Sequence, residues 1–166
     1  MQTAFIIIDV QNILVETGFE TQKLLEKISY LQDQARKQQI EIIYIQHIET
    51  EEALTSEDWK LSPLLKRQSD EKVFQKRYNS MFKETGLKEY LDQQGIEKLV
   101  LCGMQTEYCV DTSVKVAFEH GYKLVVPEGT VTTFDGDDIP AETINDFYEN
   151  IWDERFADVL DYKTIF

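Results

Sequence analysis

Residues 98–112, Lys-Leu-Val-Leu-Cys-Gly-Met-Gln-Thr-Glu-Tyr-Cys-Val-Asp-Thr, put a cysteine where sulfur could act as a nucleophile. The apolar run 99–102 reads as a buried parallel strand, Gly103 breaks it, and Cys109 opens a helix-patterned stretch through Val110, Val114, Ala117 and Phe118. At a helix N-terminus, unpaired backbone N–H groups and the helix dipole favour a thiolate. The same N–H groups can hold an oxyanion on a carbonyl that the sulfur attacks. A lone cysteine is equally at home as a small buried hydrophobe, so this segment alone supports both readings. Two further groups sit where strands end. Asp9 closes the apolar run 4–10 ahead of Gln11 and Asn12, a position that also suits a turn or N-cap aspartate. Lys76 ends a short apolar stretch before an aromatic loop, although a lone lysine is by default a solvated charge.

The elements that must bring these groups together read as alternating strand and helix. After strand 4–10, Leu24, Leu25, Ile28, Leu31 and Ala35 share one helical face, and 40–45 makes a second strand, completing a β-α-β unit. The polar stretch 49–70, with Trp59 and Ser62-Pro63, interrupts the alternation and reads as a loop with a short helix near or over the site. Helix-like 86–94 leads to strand 98–103, helix 109–120 and strand 122–126. Ile144, Phe147, Tyr148, Ile151 and Trp152 mark a late helix stripe, and 157–160 a last short strand. Such alternation implies a parallel sheet covered on both faces, with its ligand site at the carboxyl ends of the strands. Asp9, Lys76 and the turn 103–109 all fall at that edge. No closely spaced glycines follow strand 4–10, so a nicotinamide dinucleotide is not supported.

Three motifs occur in order: Asp9-Val-Gln-Asn, Lys76 with Ser80 and Phe82 after it, and Gly103-Met-Gln-Thr-Glu-Tyr-Cys109-Val-Asp-Thr. Gly121-Tyr122 then precedes a further strand and Thr132-Thr133 follows it. This constellation resembles the isochorismatase-like cysteine hydrolases, relatives of nicotinamidase and N-carbamoylsarcosine amidase, over nearly the whole chain. The resemblance implies a Rossmann-like three-layer α/β/α sandwich with a mainly parallel sheet, formed as a single domain over 1–166. It also implies a catalytic triad of Asp9, Lys76 and Cys109. A cis peptide joining Met104 to Gln105 is implied too, turning the backbone N–H groups of Gln105 and Cys109 toward the substrate as an oxyanion hole. In that chemistry Asp9 takes the thiol proton, while Lys76 favours the thiolate and holds the carboxylate. The sulfur then attacks an amide carbonyl. Asp9 protonates the leaving amine and later activates the water that cleaves the thioester. Asn12, Tyr78, Phe82 and Tyr108 are candidates for the pocket walls. The expected activity is hydrolysis of a small amide or carbamoyl C–N bond.

Composition fits this reading and narrows the alternatives. At 166 residues and 42% hydrophobic content, one domain can bury a core without staples. A net charge of −14 argues against nucleic acid and anionic membranes, both of which need clustered Lys and Arg. Eleven carboxylates against one base, Arg155, between residues 128 and 161 read as a solvated face. No leader pattern or membrane-length apolar run is visible, so a cytoplasmic location is expected. Two cysteines are not a disulfide framework, and Cys102 inside a strand is packing. The partner is a small-molecule substrate, and the stripe from Ile144 to Trp152 suggests a dimer or larger closed assembly. Isochorismatase-type vinyl ether hydrolysis and nicotinamide hydrolysis remain alternatives. So does a non-catalytic binding or regulatory protein, which predicts a damaged triad. A thiol redox protein would need a resolving cysteine that Cys102 is poorly placed to be.

Nicotinamidases that resemble this chain hold a divalent metal through an Asp-x-His pair after the second strand, with a further histidine downstream. Here that segment reads Gln46-His47-Ile48-Glu49, and the other histidine, His120, caps a helix beside Gly121. His47 and Glu49 make a poor metal set, so no metal and no cofactor are expected. Chelator-treated protein should keep full activity on its amide substrate and turn over nicotinamide poorly. Stoichiometric zinc, iron or manganese with chelator-sensitive nicotinamide hydrolysis would reverse that expectation.

Overall fold

Five consecutive apolar residues, Ala4 to Ile8, must be covered on both sides, and the chain achieves this by placing them in the middle of a parallel sheet. The computed structural model describes every residue, Met1–Phe166. The strands are β1 (Gln2–Ile8), β2 (Glu41–His47), β3 (Lys72–Lys76), β4 (Ile96–Met104), β5 (Lys123–Pro127), β6 (Val131–Thr132) and β7 (Asp158–Leu160). Their order is β3-β2-β1-β4-β5-β7, with β6 paired to the end of β4, and every strand pairing is parallel.

The period of two along β1 divides the interior into two cores. Phe5 and Ile7 pack with Leu24, Leu25, Ile28, Leu31 and Ala35 of α2 (Thr21–Lys37). Ala4, Ile6 and Ile8 face the other way, toward Leu87 and Leu91 of α3 (Leu87–Gln93), Val114 and Ala117 of α4 (Asp111–Glu119), and Trp152 of α5 (Ala141–Trp152). This is the three-layer α/β/α sandwich that the alternation implies. No helix is long and apolar enough to cross a membrane.

Register places the site. Ile8, the last residue of β1, lies between Ile45 and Gly103, and His47 at the end of β2 pairs with Lys76 at the end of β3. The chain therefore converges on one point at these strand ends, with Asp9 directly after Ile8 and with His47 and Lys76 as the last residues of β2 and β3.

Several local expectations are corrected. Strand 4–10 ends at Ile8, because Asp9 turns into the left-handed region at φ 50°. A short helix, α1 (Asn12–Thr17), follows it unheralded. The segment 49–70 forms three 3₁₀ turns, Glu51–Thr55, Glu57–Trp59 and Pro63–Leu65, where one short helix was expected. Buried Gln11 clamps this segment down, its amide donating to the carbonyls of His47 (2.9 Å) and Trp59 (2.6 Å) and accepting from the His47 N–H (2.8 Å). The helix expected to open at Cys109 starts three residues earlier, with a wide turn over Thr106–Val110 in which the Val110 N–H reaches back to Gln105 O. On α5 the apolar stripe splits. Trp152 is fully buried and donates to Asp111 Oδ1 at 2.9 Å, whereas Phe147 is 60% exposed.

Gly103 permits the close approach of β1 and β4. Its φ is +125°, and a Cβ there would lie 2.0 Å from the carbonyl oxygen of Ile8. Gly103→Ala should cost about 3 kcal/mol or more of stability, measured by denaturant unfolding. A loss under about 1 kcal/mol would show that the strands can part there.

Candidate active site

The ammonium of Lys76 is the centre of the site. Its side chain is fully buried, and Nζ lies 2.8 Å from Asp9 Oδ2, 3.0 Å from Cys109 Sγ, 3.0 Å from Tyr78 O and 3.1 Å from His47 Nδ1. Parallel strand ends supply Asp9, His47 and Lys76, while the wide helical turn after β4 supplies Cys109. Four acceptors surround three ammonium protons. For Nδ1 of His47 to accept one of them, the ring proton must sit on Nε2. The other carboxylate oxygen, Asp9 Oδ1, is buried with no hydrogen-bond partner, which leaves a lone pair for the thiol proton.

Burial dominates the electrostatics. It pushes the Cys109 thiol up to about 12, the Asp9 charge adds to the shift, and Lys76 offsets only part of it. Burial and the Asp9 charge thus oppose the thiolate that a helix terminus favours, in keeping with a thiol whose proton Asp9 takes. Burial also raises the Asp9 carboxyl, against the pull of Lys76. His47 is held below its ordinary value by burial and by the adjacent ammonium, which keeps the ring neutral.

A cavity of about 180 Å³ opens over these groups. Asp9, Cys109, Gln105 and Tyr108 line it, with Tyr108 54% exposed. The Met104–Gln105 peptide is cis, and Gln105 and Cys109 flank the turn that faces the cavity. The structure does not bring the other wall candidates together there. Asn12 donates to the carbonyl of Glu57 in the 49–70 segment. Tyr78 lines a neighbouring hollow and offers only its carbonyl to Lys76. Phe82 is a core residue against His120 and Tyr122.

Five lining residues lie outside the wall candidates read from the sequence: Leu14, His47, Glu49, Trp59 and Asn79. His47 could have been found, since it ends a parallel strand at the same edge that singled out Asp9. Trp59 belongs to the segment expected near or over the site, and Asn79 sits in a loop whose docking no periodicity encodes.

Comparison with known proteins gives the family. The Isochorismatase domain model matches residues 3–163. The chain belongs to the isochorismatase family. The isochorismatase family protein YddQ of Bacillus subtilis (strain 168) is 29% identical over 159 residues, covering 87% of this chain and 88% of YddQ. Streptothricin hydrolase of Streptomyces noursei is 28% identical over 144 residues; the match covers 83% of this chain and about half (51%) of that protein. A crystal structure of an isochorismatase family protein superposes with a TM-score of 0.91 at 30% identity, covering 96% and 98% of the two chains.

Within this isochorismatase-family hydrolase, Asp9, His47 and Cys109 are the three side chains that could hold a metal, with ligand atoms all within 4.8 Å of one another. The Lys76 ammonium is already hydrogen-bonded to each of them. Removing it should be costly, because it leaves a buried carboxylate uncompensated. Lys76→Met should lose about 3–5 kcal/mol in denaturant unfolding at neutral pH, and the Asp9→Asn/Lys76→Met double variant should lose less than the sum of the two single changes. Strict additivity would mean that the two groups are not coupled.

Proposed function

We propose that this protein hydrolyses a small amide or carbamoyl compound through a thioester on Cys109. The observation that carries the reading is one ammonium bonded to both Asp9 and Cys109, with Asp9 Oδ1 left free. The Cys109 proton passes to Asp9 as sulfur attacks the carbonyl carbon, and the charge forming on sulfur is stabilised by the Lys76 ammonium. The carbonyl oxygen becomes an oxyanion facing the backbone N–H groups of Gln105 and Cys109. Collapse of the tetrahedral adduct breaks the C–N bond, and Asp9 returns its proton to the departing amine. Water then attacks the thioester, Asp9 takes its proton, and the acid leaves with Cys109 restored as a thiol. The cavity volume favours a compact acyl group.

Vinyl ether hydrolysis is the second reading, since Asp9 alone could protonate such a substrate. Sulfur placed against the same lysine favours the amidase, because a vinyl ether offers it no carbonyl. Rapid-quench mass spectrometry on a substrate identified by ammonia release should find an acyl adduct on Cys109. Cys109→Ala should lower kcat/KM at least about 10³-fold, with Asp9→Asn and Lys76→Ala similarly affected because the groups act as a unit. Turnover that survives Cys109→Ala but not Asp9→Asn would favour the proton-only route.

A further inference from the structure

The charge balance around the cavity points to a class of substrate. Asp9 is offset by Lys76 at 2.8 Å, and His47 spends Nδ1 on the same ammonium. The remaining charged side chain on the wall is Glu49, exposed and in no ion pair. Trp59 and Tyr108 line the same cavity. A carboxylate beside aromatic rings is the combination that holds an ammonium, by charge and by the negative faces of the rings.

Nearby charges do not cancel this one. The hollow past Tyr78 carries Arg77 and Lys83 against Glu51 and Glu84; Arg77 is paired with Glu51, and Lys83 lies over the Tyr78 ring at 3.9 Å. On the segment that carries Trp59, Lys60 is paired with Glu57. The overall charge of −14 adds a field of the same sign at longer range.

We propose that the site selects amides whose substituent beside the scissile bond is cationic and discriminates against amides bearing a carboxylate, with Glu49 as the specificity-determining residue. This rests on the hydrolase reading above and names the substrate class of the same cavity. Glu49 acts on binding, so it should shift KM far more than kcat among substrates that differ only in tail charge.

The test uses Cys109 itself as the reporter. Two methanethiosulfonates of similar size, one carrying a trimethylammonium and one a sulfonate, each form a mixed disulfide with the sulfur and release methanesulfinate. Rates of labelling at Cys109 are mapped by peptide mass and divided by each reagent's rate with free 2-mercaptoethanol. The cation should be favoured about tenfold or more at low salt, and the preference should shrink as salt is added. Glu49→Gln should cut the ratio at least about threefold, and Glu49→Lys should lower it further. Glu97→Gln, at the amino-terminal end of β4 and away from the cavity, should leave it unchanged. A ratio near one, a preference for the anion, or an equal effect of Glu49→Gln and Glu97→Gln would overturn the proposal. The labelling ratio needs no turnover, so its failure is separable from a failure to trap the acyl adduct.

Discussion

A lysine ammonium taken out of water costs several kcal/mol unless its surroundings supply acceptors, and Lys76 meets that requirement with a carboxylate, a ring nitrogen, a backbone carbonyl and a sulfur within 3.1 Å. Every one of those acceptors must be delivered to one point. The parallel sheet does this through register: β1, β2 and β3 end side by side, and Gly103 lets β4 press close enough to β1 for the Cys109 turn to arrive beside Asp9. Buried Gln11 then fixes the end of β2 and the Trp59 segment with three hydrogen bonds, walling the cavity.

The chemistry follows from the same burial. Low dielectric raises both the Cys109 thiol and the Asp9 carboxyl, so in the hydrolysis we propose the proton starts on sulfur and passes to Asp9 as substrate is attacked. Lys76 stands in contact with both groups, and can therefore stabilise the negative charge whichever of them carries it. With Nδ1 accepting from the same ammonium, His47 carries its ring proton on Nε2 and lines the cavity.

What could be read from the sequence divides along physical lines. The alternation of apolar strands and the helical face of Leu24, Leu25, Ile28, Leu31 and Ala35 gave the layers, because burial on a period of two or 3.6 is written into local composition. The Asp9, Lys76 and Cys109 motifs were legible because strand ends of a parallel sheet lie at one edge. The 3₁₀ turns after β2, the split stripe of α5 and the wide turn at Thr106–Val110 were not, since they depend on contacts between segments far apart in the chain. Along the sequence His47 reads only as part of a poor metal set, because its partner Lys76 lies on the adjacent strand β3 and not nearby in the chain. Proximity to the motifs suggests Phe82 and Asn12 as pocket walls, yet the fold turns one into the core and ties the other to the carbonyl of Glu57.

The central claim is that the site holds a protonated thiol poised against a carboxylate rather than a preformed thiolate. Its most direct test is the ultraviolet absorbance of thiolate across a pH titration, taken as the difference between the native protein and Cys109→Ser. Cys109 should stay protonated to about pH 10 and titrate only above it, and Asp9→Asn should bring that transition down by removing the neighbouring charge. A Cys109 thiolate already present at neutral pH, unmoved by Asp9→Asn, would contradict the account.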